Sequence, residues 1–451
     1  MTNCVKLIAF SLYIFLENRL LAQNQIPKFQ NINISANTNR QQITFDFELW
    51  DNEEANLEIA LKVSTDHGQS YKNVESNSLS GDIGTNIKIG NDKKIIWNYA
   101  GTNIDLSTVM FKLFADDKQP LDINYLVSQV DSVRMKNRLL SIVGDRNPAT
   151  PAGVRKMRQV KTMLSGIFRG NNYQTTEQKF TYGNYEGENI IGRKVGAGTS
   201  PKTYMVLACH DTYEGSMGAN SNGSGLVGMC EVAEILSKYN AKNSIIVAGF
   251  DFSLEDFVGG NYFISQGGAT DDEINSLDGV FDLDKIGHYD ARPKTFPIQH
   301  FGPVKDCINE DFLIANEYRA DFVRIVSNER SFELGNIFKA TAKEFVPELK
   351  VNVEKHRGYG EVLSENGFHF QQSDHIPFWY IKRKALWIND AKGGDRDDDS
   401  PTDTEDKINY RFLSQVVKAT LATVIKLADI QHIGYVESKI STINSLQLSN
   451  K

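Results

Sequence analysis

The sequence predicts two fold classes in series, an all-β sandwich followed by a three-layer α/β domain. Three observations carry the prediction. From about Asn31 to Asp117 apolar and polar residues alternate with period two between Gly- and Asn-rich turns. From about residue 122 stretches with helical apolar spacing alternate with short apolar runs. Several of those runs end in side chains that carry chemistry, as in "TYMVLACHDT".

The chain opens with "MTNCVKLIAFSLYIFLENRLLAQ", one Lys followed by an apolar stretch from Leu7 to Leu16, a polar break and the small residue Ala22. This run is too short to span a bilayer, so residues 1–22 read as a signal peptide. A secreted or periplasmic location follows. No other stretch is long enough to cross a membrane, so the mature chain is expected to have no membrane span.

The segments "NINISA", "QQITFDFELW", "NLEIALKVSTDHG", "KKIIWNYA" and "TVMFKLFADD" predict a sandwich over residues 28–118, similar to immunoglobulin-like or fibronectin-like modules. Asp66, His67 and Asp116 read as turn residues within it. The second domain is placed at 122–432, with a mixed, largely parallel sheet between helices, and residues 433–451, rich in Ser and Asn, read as a loose tail.

The chain has 451 residues, 40% of them apolar, and a net charge of -8 with both signs interspersed. That is enough apolar material for a sizeable core, and no basic stripe marks a nucleic-acid partner. Loss of Cys4 with the signal peptide would leave Cys209, Cys230 and Cys307, an odd number that excludes a pure disulfide scaffold.

Within the second domain the runs "TYMVLACHDT", "NSIIVAGFDFSLEDFVGG" and "LDGVFDLDKIG" each read as a strand ending in polar donors, and "GANSNGSGLVGMCEVAEIL" as a glycine-rich loop opening a helix. Ligands of open α/β sheets gather beyond the carboxyl ends of the strands. A polar site is therefore expected where Asp211, Glu255 and Asp284 converge.

With "ATPAGVRKMRQV", "ENIIGRKVG", "SDHIPF" and "SPTDTEDKINY", these segments resemble the zinc exopeptidases of the two-metal type, the aminopeptidase, glutamate carboxypeptidase, glutaminyl cyclase and transferrin receptor group. The resemblance implies zinc, peptide hydrolysis and a αβα domain. It also implies residue roles. A strand ending in His-x-Asp, the His a zinc ligand, matches Cys209 and Asp211; His210 takes that place only if the strand slips by one residue, which turns its side chains to the other face. A bridging Asp in a Gly-Ala-x-Asp-Asn loop matches Ser221. A Glu-Glu pair, general base and ligand, matches Leu254 and Glu255, or Glu255 and Asp256 with one deletion. The fourth ligand matches Asp284. The fifth, a His before Asp-Thr, falls at Asp399. Ser373, Asp374 and His375 match a segment that supports the pocket.

The candidate catalytic residues are thus Asp211 and Glu255, and the candidate metal ligands Cys209, His210, Glu255, Asp284 and Asp399. Two dications about 4 Å apart repel by roughly 16 kcal/mol at an effective dielectric of 20. The neutral Ser221 hydroxyl cannot offset that. The expectation is a catalytically impaired or inactive peptidase homologue that acts by binding a peptide or protein ligand. The alternative is an active exopeptidase with one metal on the altered donors, where an all-carboxylate set would suit calcium or magnesium.

Other residues read as structural. Cys230 lies on the buried stripe of its helix, "DRDDDSPTDTED" reads as a solvated acidic loop, and His288 and His300 have no motif partners.

Overall fold

The structure is a computed structural model and describes residues 25–52, 56–68, 71–198, 201–296, 310–356, 373–392 and 398–444. Residues 1–22, expected to be a signal peptide, lie outside the described residues, as do Cys307 and His300. The chain divides into two units, one of residues up to Leu121 plus Gln431–Lys451 and one of Asp122–Ile430.

In the first unit, Gln42–Trp50 shows how the sequence makes a half-buried strand. Successive side chains point to opposite faces, and Ile43, Phe45, Phe47 and Leu49 are buried while the residues between them are not. This strand pairs antiparallel with Lys28–Asn37 and Gly90–Asn98. A second sheet pairs Met110–Asp116 with Leu57–Ser64. One apolar core draws on both sheets, and Phe45 meets Phe111 edge to face at 4.9 Å between ring centroids. The unit is therefore a sandwich.

The expected loose tail is corrected here. Ile433–Lys439 pairs antiparallel with Met110–Asp116 over seven positions, and Thr442–Asn444 pairs in parallel with Ser35–Asn37. The segment 433–444 is part of both sheets of the first unit.

The second unit is built on an eight-stranded sheet. We label its strands β1 (Gln174–Tyr182), β2 (Tyr185–Lys194), β3 (Thr203–Cys209), β4 (Ser244–Phe250), β5 (Leu277–Leu283), β6 (Val323–Asn328), β7 (Val351–His356) and β8 (Ala385–Asp390). Their order is β7-β6-β8-β5-β3-β4-β2-β1. The central strands β8, β5, β3 and β4 run parallel, and β6 and β2 flank them antiparallel.

Strands buried on both faces read as continuous apolar runs. Accordingly every residue of β3 is buried. Met205 and Leu207 face a cluster with Phe263, Phe378 and Trp379. On the opposite side the helix Gly225–Leu236 packs against β3, and the helix Pro151–Gly170 against β2. That helix starts where the sequence dictates, with Pro151 in its first turn and the Thr150 hydroxyl accepting the Gly153 N–H. The parallel centre places the ends of β3, β4 and β5 side by side, and these ends carry the site.

Among the described residues no helix is long and apolar enough to cross a membrane. Cys209 and Cys230 are both buried and unpaired.

Candidate functional site

Beyond β3 the chain meets the loop Ala219–Ser224, which leads into the helix Gly225–Leu236. Buried polar side chains fix this loop, because each buried backbone group needs a partner. Asp403 accepts the N–H groups of Asn220 and Ser221 at 2.8 and 2.9 Å. Asn222 accepts from Gly225 N and Lys285 N and donates to the Leu283 carbonyl, tying the loop to the end of β5. Arg146, fully buried, donates to the carbonyls of Ile142, His210 and Gly218.

Ser221 therefore stands at the centre of the cleft in a rigid frame. Its hydroxyl donates to Asp399. The other Asp399 oxygen accepts from the Lys285 ammonium at 3.0 Å. Burial works against charge on Lys285, but Asp399, Asp284 and Asp398 outweigh it and hold its ammonium above the ordinary pKa. Next to it burial raises Asp284 to about 8 against the pull of Lys285. The indole N–H of Trp387 donates to Asp284 at 3.2 Å.

The remaining sequence candidates divide into two groups. Cys209 and Asp211 border the same cleft. Burial, with Asp211 and Asp284 behind it, pushes the Cys209 thiol well up, so in this environment it is a neutral thiol. Asp211 accepts the N–H groups of Ser253 and Leu254 at 3.2 and 3.3 Å, and burial raises it to about 7. Asp211 thus holds the β4 turn.

The structure turns His210 away from Cys209, which corrects one expected ligand. The His210 ring is buried with Nε2 3.1 Å from the Glu188 carbonyl and Nδ1 3.9 Å from Asp251. It follows the alternation of the strand away from Cys209. The Asp211 bonds leave Glu255 on the outer part of a turn in which Asp256 and Phe257 have positive φ, and Glu255 is exposed. Ser373, Asp374 and His375 lie below the cleft. Ser253 donates to Asp374, the His375 ring stacks on Trp387 at 5.6 Å, and the His375 backbone N–H donates to Asp282.

Several residues that shape the site escaped the sequence reading. Lys285 stands directly after a ligand position at a strand end, and that adjacency was its signal. Asp398 and Asp403, read as part of a solvated acidic loop, are buried. His288 is buried beside them, and its only sequence signal is its place two residues after the "KI" that follows β5.

Do these donors fit the zinc pair that the resemblance implies? Among the described residues, Cys209, His210, Glu255, Asp284 and Asp399 contribute no group of three donors within 4.8 Å of one another. A neutral hydroxyl sits where a bridging carboxylate is needed, and the Lys285 ammonium already pairs with Asp399. A second and third cation would face that charge at close range. The donors do not fit a zinc pair.

Comparison with known proteins places this architecture. The family model described as peptidase family M28 matches residues 189–424. The LapA aminopeptidase of Legionella pneumophila is similar in structure, with TM-score 0.51 and 15% identity, covering 68% of this chain and 73% of that one. A glutaminyl cyclase of Macrostomum lignano gives TM-score 0.52 and 13% identity over 69% of this chain and 95% of that one. Against BSAP, a zinc aminopeptidase of Bacillus subtilis, the match has 18% identity and TM-score 0.42, covering 55% of this chain and only 52% of that one. No curated protein matches the sequence.

Proposed function

The chain belongs to peptidase family M28, and from that premise we propose that it is an exported member that holds a peptide or protein ligand and does not hydrolyse it by two-zinc chemistry. The observation that carries this reading is the contact of Lys285 with Asp399 at 3.0 Å. Hydrolysis of the zinc type needs a metal-bound water of lowered pKa and a carboxylate to take its proton. In this chain a fixed ammonium takes the charge-balancing place, and the two positions matched to the base are the apolar Leu254 and the exposed Glu255. Burial of Cys209 as a neutral thiol supports the same reading, since a zinc ligand is the thiolate.

The test is an aminopeptide turnover assay on the purified chain, with and without added zinc, alongside zinc analysis. Fewer than two zincs per chain and no turnover are expected in both conditions. Turnover that needs zinc and disappears in Glu255→Gln would overturn the reading. Export is checked by sequencing the mature N-terminus, where cleavage after Ala22 is expected.

A further inference from the structure

After β5 the chain continues through Asp284, Lys285, Ile286 and Gly287 to His288, and the backbone there is tightly held. The Gly287 N–H goes to Asn220 at 2.8 Å and the His288 N–H to Asp390 at 2.9 Å. These bonds fix the backbone from which the His288 imidazole projects. The ring is 5% exposed, yet neither of its nitrogens has a hydrogen-bond partner. Leaving such groups buried and unmatched costs about 1–3 kcal/mol each.

Two buried carboxylates converge on that ring. Asp398 Oδ1 lies 3.6 Å from His288 Nδ1, and Asp398 Oδ2 is itself buried without a partner. Asp403 is fully buried and held by the N–H groups of Asn220 and Ser221. One donor atom from each of His288, Asp398 and Asp403 lies within 4.8 Å of the other two. Asp390, linked to Asp398 through the Asn220 amide, brings a third carboxylate close by.

The charges around the ring are therefore mostly negative. Lys285 is engaged by Asp399 and Arg146 by backbone carbonyls. A divalent ion here would meet the unmatched imidazole nitrogen and the unmatched Asp398 oxygen at once.

We propose that His288, Asp398 and Asp403 form a binding site for a single divalent transition-metal ion, beside the family positions Cys209, Asp284 and Asp399 and using none of them. One imidazole with two carboxylates suits zinc, manganese or cobalt, whereas calcium and magnesium take oxygen ligands alone. Metal–ligand bonds of about 2.0–2.2 Å require the three donors to draw together slightly. The supports for such a site are present, with Asn220 on Asp398 and two backbone N–H groups on Asp403 orienting the carboxylates. This assignment does not rest on whether the chain hydrolyses peptides.

The test loads the full chain, stripped with chelator, with zinc or cobalt and counts bound metal by elemental analysis and calorimetry. One equivalent is expected. Affinity should fall at least tenfold, on the order of the 10–100-fold typical of site mutations, in His288→Gln and Asp398→Asn, and remain in Cys209→Ser and Lys285→Met. Should a variant fail to fold, anomalous scattering from cobalt in wild-type crystals decides, with the peak expected against a His288 ring nitrogen. The proposal is overturned if the loaded wild type holds no metal. It is equally overturned if the ion survives His288→Gln or is lost in Cys209→Ser.

Discussion

Asp403 accepts the Ser221 backbone N–H at 2.9 Å, so one carboxylate fixes the loop that carries the serine standing at the bridging position. Its other oxygen takes Asn220 N. In Asp403→Asn the amide nitrogen faces one of these donors and leaves it unmatched. A loss of about 1–3 kcal/mol in the urea midpoint is expected. An unchanged midpoint would show that the loop holds itself.

Lys285→Met removes the ammonium between Asp399 and Asp284. The side chains of Lys285 and Asp399 are 17% and 29% exposed, so the loss is discounted from the figure for a fully buried pair to about 1–3 kcal/mol at pH 7. The loss should shrink in high salt, where screening weakens this partly exposed pair. Denaturant titrations at low and high salt read this, and an equal loss at both would rule out charge as the reason Lys285 is there.

Asp284 sets a pH dependence with a definite sign. Its folded pKa is raised to about 8 by burial, against about 3.9 in an unfolded chain. Stability tied to this group is thus fully present below pH about 4 and is lost as pH rises through about 8. Asn does not titrate and can still accept from Trp387. Asp284→Asn is expected to gain on the wild type as pH climbs from 4 to 8 and to converge with it below 4. A difference that runs the other way in chemical unfolding would sink the assignment.

Much of this was visible in the sequence, and the exceptions share a cause. The β3 run and the strand ends at Asp211 and Asp284 were legible because burial on both faces writes a continuous apolar run followed by a polar break. Ile433–Lys439 was not, since only Gly434 within it is buried and its ladder partner is Met110–Asp116, far outside any local window. His288, Asp398 and Asp403 were passed over for the same reason. Their contacts span more than a hundred residues, and composition makes an acidic stretch look solvated until a buried imidazole is seen against it.

Arg146 extends that lesson to stability. It is fully buried, and burial lowers its pKa, yet its guanidinium spans carbonyls on three separate segments at Ile142, His210 and Gly218. Lysine offers a compact charge without the planar fork. Arg146→Lys should cost about 3–5 kcal/mol, as for other broken buried charge networks. Thermal unfolding of the purified variant checks this, and a shift of less than a degree would count against it.

The pairing of Ile433–Lys439 with Met110–Asp116 has a consequence for biosynthesis. A ribosome delivers the early strands of the sandwich first, but their sheet keeps an open edge until Ile433–Lys439 has emerged. Completion of the first unit thereby waits for synthesis of the whole second unit, residues Asp122–Ile430. Until then a newly made chain presents an unpaired ladder to its neighbours, the kind of edge that invites aggregation, and a chain cut short before Ile433 would keep it.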